Sequence, residues 1–118
     1  MPDPARLPES VSAGTPLLVS RDLLGDLQLN WGTSCAATDT DYEVYEGAVG
    51  GSFADHAPRL CSTFASTSIT LTPSPGSSYY LVVPANGPYE GSYGARTGGE
   101  RPQSASFCAP QYVGACSP

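Results

Sequence analysis

The chain has 118 residues, of which 40% are hydrophobic and only 14% are charged, with a net charge of −6. That length suits one domain, and 13 glycines and 12 prolines favour short strands and tight turns over helices. There is no lysine and the five arginines are scattered. This excludes a nucleic-acid-binding protein or one that binds anionic membrane surfaces, because both require clustered cations.

The first 14 residues are rich in proline, serine and glycine and are interpreted as a leader or linker. They lack the basic start and apolar stretch of a signal peptide. No segment approaches the roughly 20 apolar residues of a spanning helix, so we expect no membrane insertion. An even number of cysteines in a small Gly/Pro-rich domain is typical of an oxidising compartment. We therefore expect a secreted, extracellular chain whose export signal is missing from this sequence.

Apolar and polar residues alternate along most of the remaining chain, as in strands with one buried face. Turn residues separate these segments at short, regular intervals. The predicted strands are 16–22, 26–32, 41–47, 58–63, 66–72, 79–84 and 92–97.

Seven short strands at this spacing predict an all-β fold, a seven-stranded antiparallel β-sandwich. The sandwich domain is expected over 15–103. Beyond it, 104–118 has a different composition, with two cysteines, and is expected to form a C-terminal cysteine-loop tail.

The pattern of core positions resembles the fibronectin type III (immunoglobulin-like) fold. The matching motifs are Leu27-x-Leu29-x-Trp31, Tyr42-x-Val44, Ile69-x-Leu71, Tyr80-x-Val82-x-Pro84-x-Asn86 and Gly91-Ser92. The resemblance implies that Trp31 packs beneath the strand carrying Tyr80. It also implies that the Tyr80 hydroxyl bonds to upstream backbone as a tyrosine corner. Pro84 departs from the pattern, and because proline has no N–H it should end the ladder or lie at a sheet edge.

A narrower resemblance covers about 15–116. The combination "SC…DTDYEVYEG…CST…YYLVVP…EGSYG…ERP…C" is similar to a module that recurs at the C-termini of large exported bacterial proteins. This likeness implies an accessory role and carries no particular activity.

Four cysteines allow three disulfide pairings. In the fold that the sequence resembles, the second and fourth strands end at the same pole, so Cys35 and Cys61 should meet there. Cys108 and Cys116 both follow the last strand and should pair locally. The expected bonds are therefore Cys35–Cys61 and Cys108–Cys116. Zinc is not expected, because the spacing of a zinc site is absent.

Acidic residues cluster in 39–46. Oxygen-rich loops bind calcium, and a site formed by Asp39, Asp41 and Glu90 is one hypothesis. The alternative is a solvated acidic loop, since the spacing of a dedicated calcium loop is missing. No other cofactor is expected.

No arrangement of residues predicts catalysis. His56, the sole histidine, lies in a loop among Ala, Asp and Pro, and nothing sets a nucleophile beside a base or two carboxylates across a cleft. We therefore expect no enzyme.

Tyrosine is the most notable excess, with seven residues. Tyr42 and Tyr80 are expected in the core. Because tyrosine is favoured at interfaces, a binding surface for protein or glycan is the hypothesis for the outward and loop positions. That surface comprises Tyr45, Tyr79, Tyr89, Glu90 and Tyr93. The alternative is aromatic packing on a sheet face that binds nothing.

These expectations combine in a non-catalytic extracellular accessory or adhesion module, a spacer or a unit that binds protein or glycan at the cell surface. Two other hypotheses remain open. The chain is a subunit of an extracellular filament, in which the segment near 11–19 completes a neighbour's sheet, or it is a calcium- or glycan-binding domain.

Overall fold

A computed structural model describes residues 17–34, 39–50, 55–74, 76–86, 89–93, 95–96, 99–100, 103 and 105–112. The described part of the chain contains only strands, turns and irregular segments, and none of it is a helix that could cross a membrane. The strands are β1 (Leu18–Arg21), β2 (Leu27–Asn30), β3 (Asp41–Ala48), β4 (Ala57–Leu60), β5 (Ser68–Leu71), β6 (Ser78–Ala85), β7 (Ala95–Arg96) and β8 (Gly99–Glu100).

The strands form two three-stranded antiparallel sheets, in the orders β1-β2-β5 and β4-β3-β6, and β7 pairs with β8. The all-β prediction is confirmed, and each of the first six predicted strands overlaps an observed one. The predicted strand 92–97 differs, because among its described residues Ser92 and Tyr93 lie outside a strand while Ala95 and Arg96 form β7.

The inner faces of the two sheets share the first core. Its buried members are Leu27, Leu29, Trp31, Tyr42, Val44 and Val82. These are the alternating positions on which the sequence prediction rested. Burying each large aliphatic side chain contributes roughly 1.5–3 kcal/mol, so this cluster is a main source of stability.

Tyr80 packs against the first core as expected, but the predicted tyrosine corner is wrong. Its hydroxyl donates to Glu46 Oε2 at 2.6 Å rather than to upstream backbone. Glu46 lies directly opposite Tyr80 on β3, and a charged acceptor at this distance makes a stronger bond than a neutral carbonyl.

Pro84 lies on β6, an edge strand of its sheet, so one of the two predicted outcomes is confirmed. It does not end the ladder, which continues for one residue to Ala85. Its carbonyl accepts a hydrogen bond from the Gly91 amide at 2.8 Å on the side away from β3. The missing N–H of the proline therefore removes no bond between β3 and β6.

The observed disulfide joins Cys61 to Cys108, whose Cα atoms are 5.5 Å apart. The predicted bonds Cys35–Cys61 and Cys108–Cys116 are therefore wrong. The prediction placed Cys108 at the far pole. Instead Cys108 packs on the outer face of the β4-β3-β6 sheet, where its amide donates to the Tyr45 hydroxyl at 2.9 Å. Cys35 and Cys116 lie outside the described residues, as does the predicted leader 1–14.

Gly47 and Tyr79 form a directly opposed pair on β3 and β6. A Cβ atom at position 47 would overlap the Tyr79 ring. The absence of a side chain is therefore what lets this ring lie flat across β3 and reach the loop that carries His56.

We expect Gly47→Ala to lower the free energy of unfolding by about 1–3 kcal/mol, the usual penalty of overpacking. Denaturant unfolding measures the change. In the background of Tyr79→Ala, the same substitution should cost much less, because the ring that it overlaps is gone. An equal cost in both backgrounds would show that the overlap is not the cause.

Candidate functional site

The outer face of the β4-β3-β6 sheet carries a second core. Its buried members are Tyr45, Leu81, Val83 and Tyr93, with Tyr79 and Cys108 packed against them. Tyr45 and Leu81 are opposed on β3 and β6, and Val83 is opposed to Glu43. Tyr93 and Cys108 come from the chain beyond β6. The face that sequence reasoning left open to solvent is thus closed by the C-terminal part of the domain.

Two glutamates and a histidine are buried within this second core. Glu90 and His56 are fully buried and Glu43 is 3% exposed. Together with Tyr45 and Tyr93 they form what we call the acidic–aromatic cluster. Charged side chains are rarely buried unless they are paired or hydrogen-bonded, so this cluster is the candidate site of the molecule.

The Glu90 carboxylate accepts hydrogen bonds from two tyrosines and a glutamine, in addition to its contact with Glu43 described below. Tyr45 Oη donates to Oε1 at 2.6 Å, Gln103 Nε2 donates to Oε2 at 2.6 Å, and the Tyr93 hydroxyl also donates to Oε2. The backbone of Glu90 is held as well, since its amide donates to Pro110 O at 2.9 Å and its carbonyl accepts from the Tyr112 amide at 3.0 Å. Glu90 therefore fixes the tail to β3.

Glu43 lies beside Glu90 and is hydrogen-bonded to it. Burial raises the pKa of Glu43 far above its ordinary value, and the hydrogen bond and charge of Glu90 raise it further. At neutral pH Glu43 is therefore a neutral acid, whose carboxyl O–H donates a hydrogen bond to Glu90. Two carboxylates in contact in a low-dielectric site cannot both be charged, and this arrangement avoids that repulsion.

The two tyrosines of the cluster are held in their neutral form. Burial raises the pKa of Tyr45 and of Tyr93, and the hydrogen bond that each makes to Glu90 raises it further. The His56 ring packs against both, with centroids 5.9 Å from Tyr45 and 5.1 Å from Tyr93. Its Nδ1 lies 3.1 Å from the Tyr79 hydroxyl, which itself donates to Asp55 at 3.1 Å.

Possible ligand atoms of Glu43, Glu90 and Cys108 lie within 4.8 Å of one another. The sulfur of Cys108 is bonded to Cys61 and is not available as the thiolate that a metal would require. The carboxylate of Glu90 is occupied by the donors of its own chain. The cluster thus has the composition of a reactive site but is built into the core of the domain.

Glu46 forms a second polar centre at the rim of the first core. It is ion-paired with Arg59, accepts from Ser74 Oγ at 2.9 Å, and Arg59 in turn donates to Thr72 O at 2.8 Å. Burial would raise the pKa of Glu46, but hydrogen bonds from Tyr80, Ser74, Ser78 and Arg59 outweigh it and lower the pKa to about 2. Because Thr72 and Ser74 follow β5, these contacts link the two sheets.

Asp41 organises the turn after β4. It accepts from Ser62 Oγ at 2.5 Å and from the amides of Thr63 and Ala65 at 3.2 and 3.1 Å. Phe64 and Ala65 have positive φ angles of 54° and 67°, a conformation that costs energy in residues with a Cβ atom. The Asp41 bonds offset that cost. Burial would raise the pKa of Asp41, but its bonds to Ser62, Ala65, Tyr42 and Thr63 keep it below its ordinary value.

The three proposed calcium ligands thus have three different sets of hydrogen-bond partners. Asp41 bonds to the turn after β4, Asp39 accepts from the Ser34 hydroxyl, and Glu90 lies in the acidic–aromatic cluster. Calcium binding by these three residues stays a prediction, and the described contacts do not favour it.

The predicted tyrosine surface is placed differently from the expectation. Tyr45 and Tyr93 are buried, at 0% and 2% exposure, and Glu90 lies beneath them. Tyr79 is half-buried, so only Tyr89, at 36% exposure, is at the surface. Its ring packs on Tyr112 at a centroid distance of 4.5 Å. The faces were assigned correctly, but the tail that covers one of them was not foreseen.

Sequence reasoning missed the roles of Glu43, His56 and Gln103. The available signal was Glu43 itself, an acid placed directly between Tyr42 and Val44 in the middle of a strand. Comparison of the chain with protein-family models, curated proteins and solved structures found no match.

Because folding raises the pKa of Glu43, the native state keeps a proton that the unfolded chain releases above its ordinary pKa. We therefore expect the unfolding free energy to fall as pH rises from 5 to 8, with a slope approaching about 1.4 kcal/mol per pH unit. Glu43→Gln should remove this slope, so that the unfolding free energy of the variant rises relative to that of the wild type as the pH rises. Denaturant unfolding at several pH values measures this.

Glu46→Gln on the same strand is the matched control. The pKa of Glu46 is lowered to about 2, so its contribution is complete above the unfolded pKa and is lost only as pH falls toward 2. Its difference from the wild type should be constant from pH 5 to 8. A constant difference for Glu43→Gln as well would contradict a neutral Glu43.

Proposed function

We propose that the chain is a non-catalytic, disulfide-stabilised module of the fibronectin type III type, acting as a spacer or partner-binding unit of an exported bacterial protein. The observation that carries the proposal is the burial of Glu90. The residue best suited to chemistry is fully buried and bound by three side chains of its own domain. Glu90 and its neighbour Glu43 therefore stabilise the packing of the domain and do not act on a substrate.

The strand orders support the comparison with the fibronectin type III fold. In the sandwich architecture that this fold shares, the first, second and fifth strands lie in one sheet, and the third and sixth strands are neighbours in the other. The orders β1-β2-β5 and β4-β3-β6 have this form. The disulfide supports export, since such bonds persist in oxidising compartments.

Two exposed aromatic residues, one after β6 and one in the tail, are the best candidates for partner contact. Tyr89 and Tyr112 are 36% and 52% exposed, and their rings pack edge to face. The backbone of each is anchored to a buried residue: the Tyr89 carbonyl accepts from the Asn86 amide, and the Tyr112 amide donates to the Glu90 carbonyl. A rigid pair of tyrosines suits a protein or glycan surface, because little conformational entropy is lost on contact.

To test this proposal, the folded domain is incubated with isolated bacterial cell-wall glycan and with intact cells, and both bound protein and soluble products are measured. We expect retention on one of these surfaces with no product release. Tyr89→Ala combined with Tyr112→Ala should reduce retention at least tenfold, whereas Phe64→Ala, at a side chain 93% exposed on another turn, should not.

Retention that is unaffected by the paired tyrosine substitution would reject the tyrosine surface, and no retention at all would leave the spacer role. Release of soluble sugar or peptide products that stops in Glu90→Gln would contradict a non-catalytic module.

A filament subunit joined by strand addition is the second candidate, favoured by the exposure of β1. All four residues of this edge strand are exposed, and Leu18 and Val19 expose 57% and 51% of their surface. An apolar edge strand with open hydrogen-bonding groups is a template for pairing with another chain.

Sedimentation velocity over a hundredfold concentration range, with negative-stain imaging, tests the assembly. If β1 joins subunits, Val19→Lys should abolish association, since a charge on the strand opposes pairing. Leu24→Lys, in the neighbouring turn, is the control and should leave association intact. A monomer at every concentration excludes the filament.

A further inference from the structure

The two cores depend on different parts of the chain. Every described member of the first core comes from the segments between Leu17 and Val82. The second core additionally requires Tyr93 and Cys108. The outer face of the β4-β3-β6 sheet can therefore lose its cover without removing any side chain from the first core.

We call Gln103 together with 105–112 the closing segment. Among its described residues only Cys108 packs against the second core, while Phe107 and Tyr112 are 48% and 52% exposed. The segment is held mainly by hydrogen bonds. These are Gln103 to Glu90, the Cys108 amide to Tyr45, the Tyr112 amide to Glu90, the Glu90 amide to Pro110 and Gln111 to Gly91.

Hydrogen bonds of this kind contribute little net stability each, because water replaces them on opening. A segment with few buried apolar contacts has a low local free energy of opening. The strongest attachment among the described contacts of this segment is covalent, the bond between Cys108 and Cys61 just after β4. Cys61 is exposed and Cys108 is half-buried, so a reductant can approach from the Cys61 side.

We propose that the Cys61–Cys108 bond is a thiol-sensitive latch, whose reduction lets the closing segment separate from the sheet and uncovers the acidic–aromatic cluster while the first core stays folded. This adds to the proposed module function a controlled local opening. The surface that is uncovered contains Tyr45 and Tyr93 and the carboxyl groups of Glu43 and Glu90.

The redox step requires a dithiol as the reductant. Its thiolate attacks Cys61 Sγ, a new S–S bond forms, the Cys61–Cys108 bond breaks, and Cys108 leaves as a thiolate that takes a proton from water. The second thiol of the reductant then attacks the mixed disulfide and releases the Cys61 thiol. The protein gains two electrons and two protons, and the dithiol becomes a disulfide.

The experiment uses the full chain, folded in its oxidised form and then treated with dithiothreitol at neutral pH without denaturant. Trp31, the sole tryptophan, lies in the first core and reports on it by fluorescence. Tyrosine absorbance reports on Tyr45 and Tyr93. Residue-resolved hydrogen exchange follows the amides of Glu90, Cys108 and Tyr112, which are bonded across the closing segment.

We expect reduction to accelerate exchange of these three amides at least tenfold and to expose tyrosine. Trp31 emission and the amides of β2 and β5 should be unchanged. If the three amides keep their protection after the bond is cut, the segment does not depend on the latch. If Trp31 and the β2 amides respond in step with them, reduction unfolds the domain as a whole. Either result overturns the proposal.

Matched variants separate this bond from the other cysteines. In the double variant Cys61→Ser with Cys108→Ser, the closing segment should be separated from the sheet without reductant, and added reductant should not change its amide exchange. The double variant Cys35→Ser with Cys116→Ser keeps the Cys61–Cys108 bond, so its closing segment should stay on the sheet until reductant is added. Because this variant is reduced only after it has folded, it tests the latch even if the variant without Cys61 and Cys108 folds poorly. Loss of the thiol response in this second pair would contradict the assignment to Cys61–Cys108.

Discussion

The fold depends on burying both faces of β3 and β6. On one face Tyr42, Val44 and Val82 meet the β1-β2-β5 sheet, and on the other Tyr45, Leu81 and Val83 meet the tail. A sheet buried on one side leaves its other face to water. Here that face carries aromatic and acidic side chains. The residues around Glu90 and Cys108, which follow β6 in the chain, pack on it and shield it from water.

The acids of β3 show how one strand uses the same side-chain chemistry in three ways. Asp41 bonds to the turn after β4 and offsets the positive φ angles there. Glu46 is ionised and joins the sheets through Arg59 and Ser74. Glu43 is neutral and donates to Glu90. Position along the strand decides the result, because each acid meets different donors and a different degree of burial.

The buried Glu43 and Glu90 are tolerable only because their hydrogen bonds are made. An unpaired buried charge is costly, whereas a satisfied polar network fixes one arrangement of its parts. Tyr45, Tyr93 and Gln103 each bond to Glu90, and of these Tyr45 lies 45 residues from Glu90 along the chain. The cluster thus sets the position of the tail on the sheet more than it adds stability.

Much of the sheet framework follows from local pattern. The alternation in 27–31 and 42–44 gave both the strands and their buried face, and the same rule placed Tyr45 and Tyr79 opposite the first core. The packing of the tail on the outer face could not be predicted from local pattern, because it depends on contacts between residues distant in sequence, such as Cys108 and Tyr45. For the same reason the cysteine pairing was wrong and Glu90 was taken for a surface residue. Periodicity shows which face a residue occupies, but not what lies on that face.

The central claim is that the C-terminal tail closes the outer face of the sheet in the oxidised domain. Residue-resolved hydrogen exchange of the amides of Glu90 and Cys108, whose acceptors are Pro110 O and Tyr45 Oη, tests it most directly. Both amides should be strongly protected, at a level approaching that of the β3 and β6 amides. Exchange at the rate of an unstructured peptide, with β3 and β6 still protected, would contradict it.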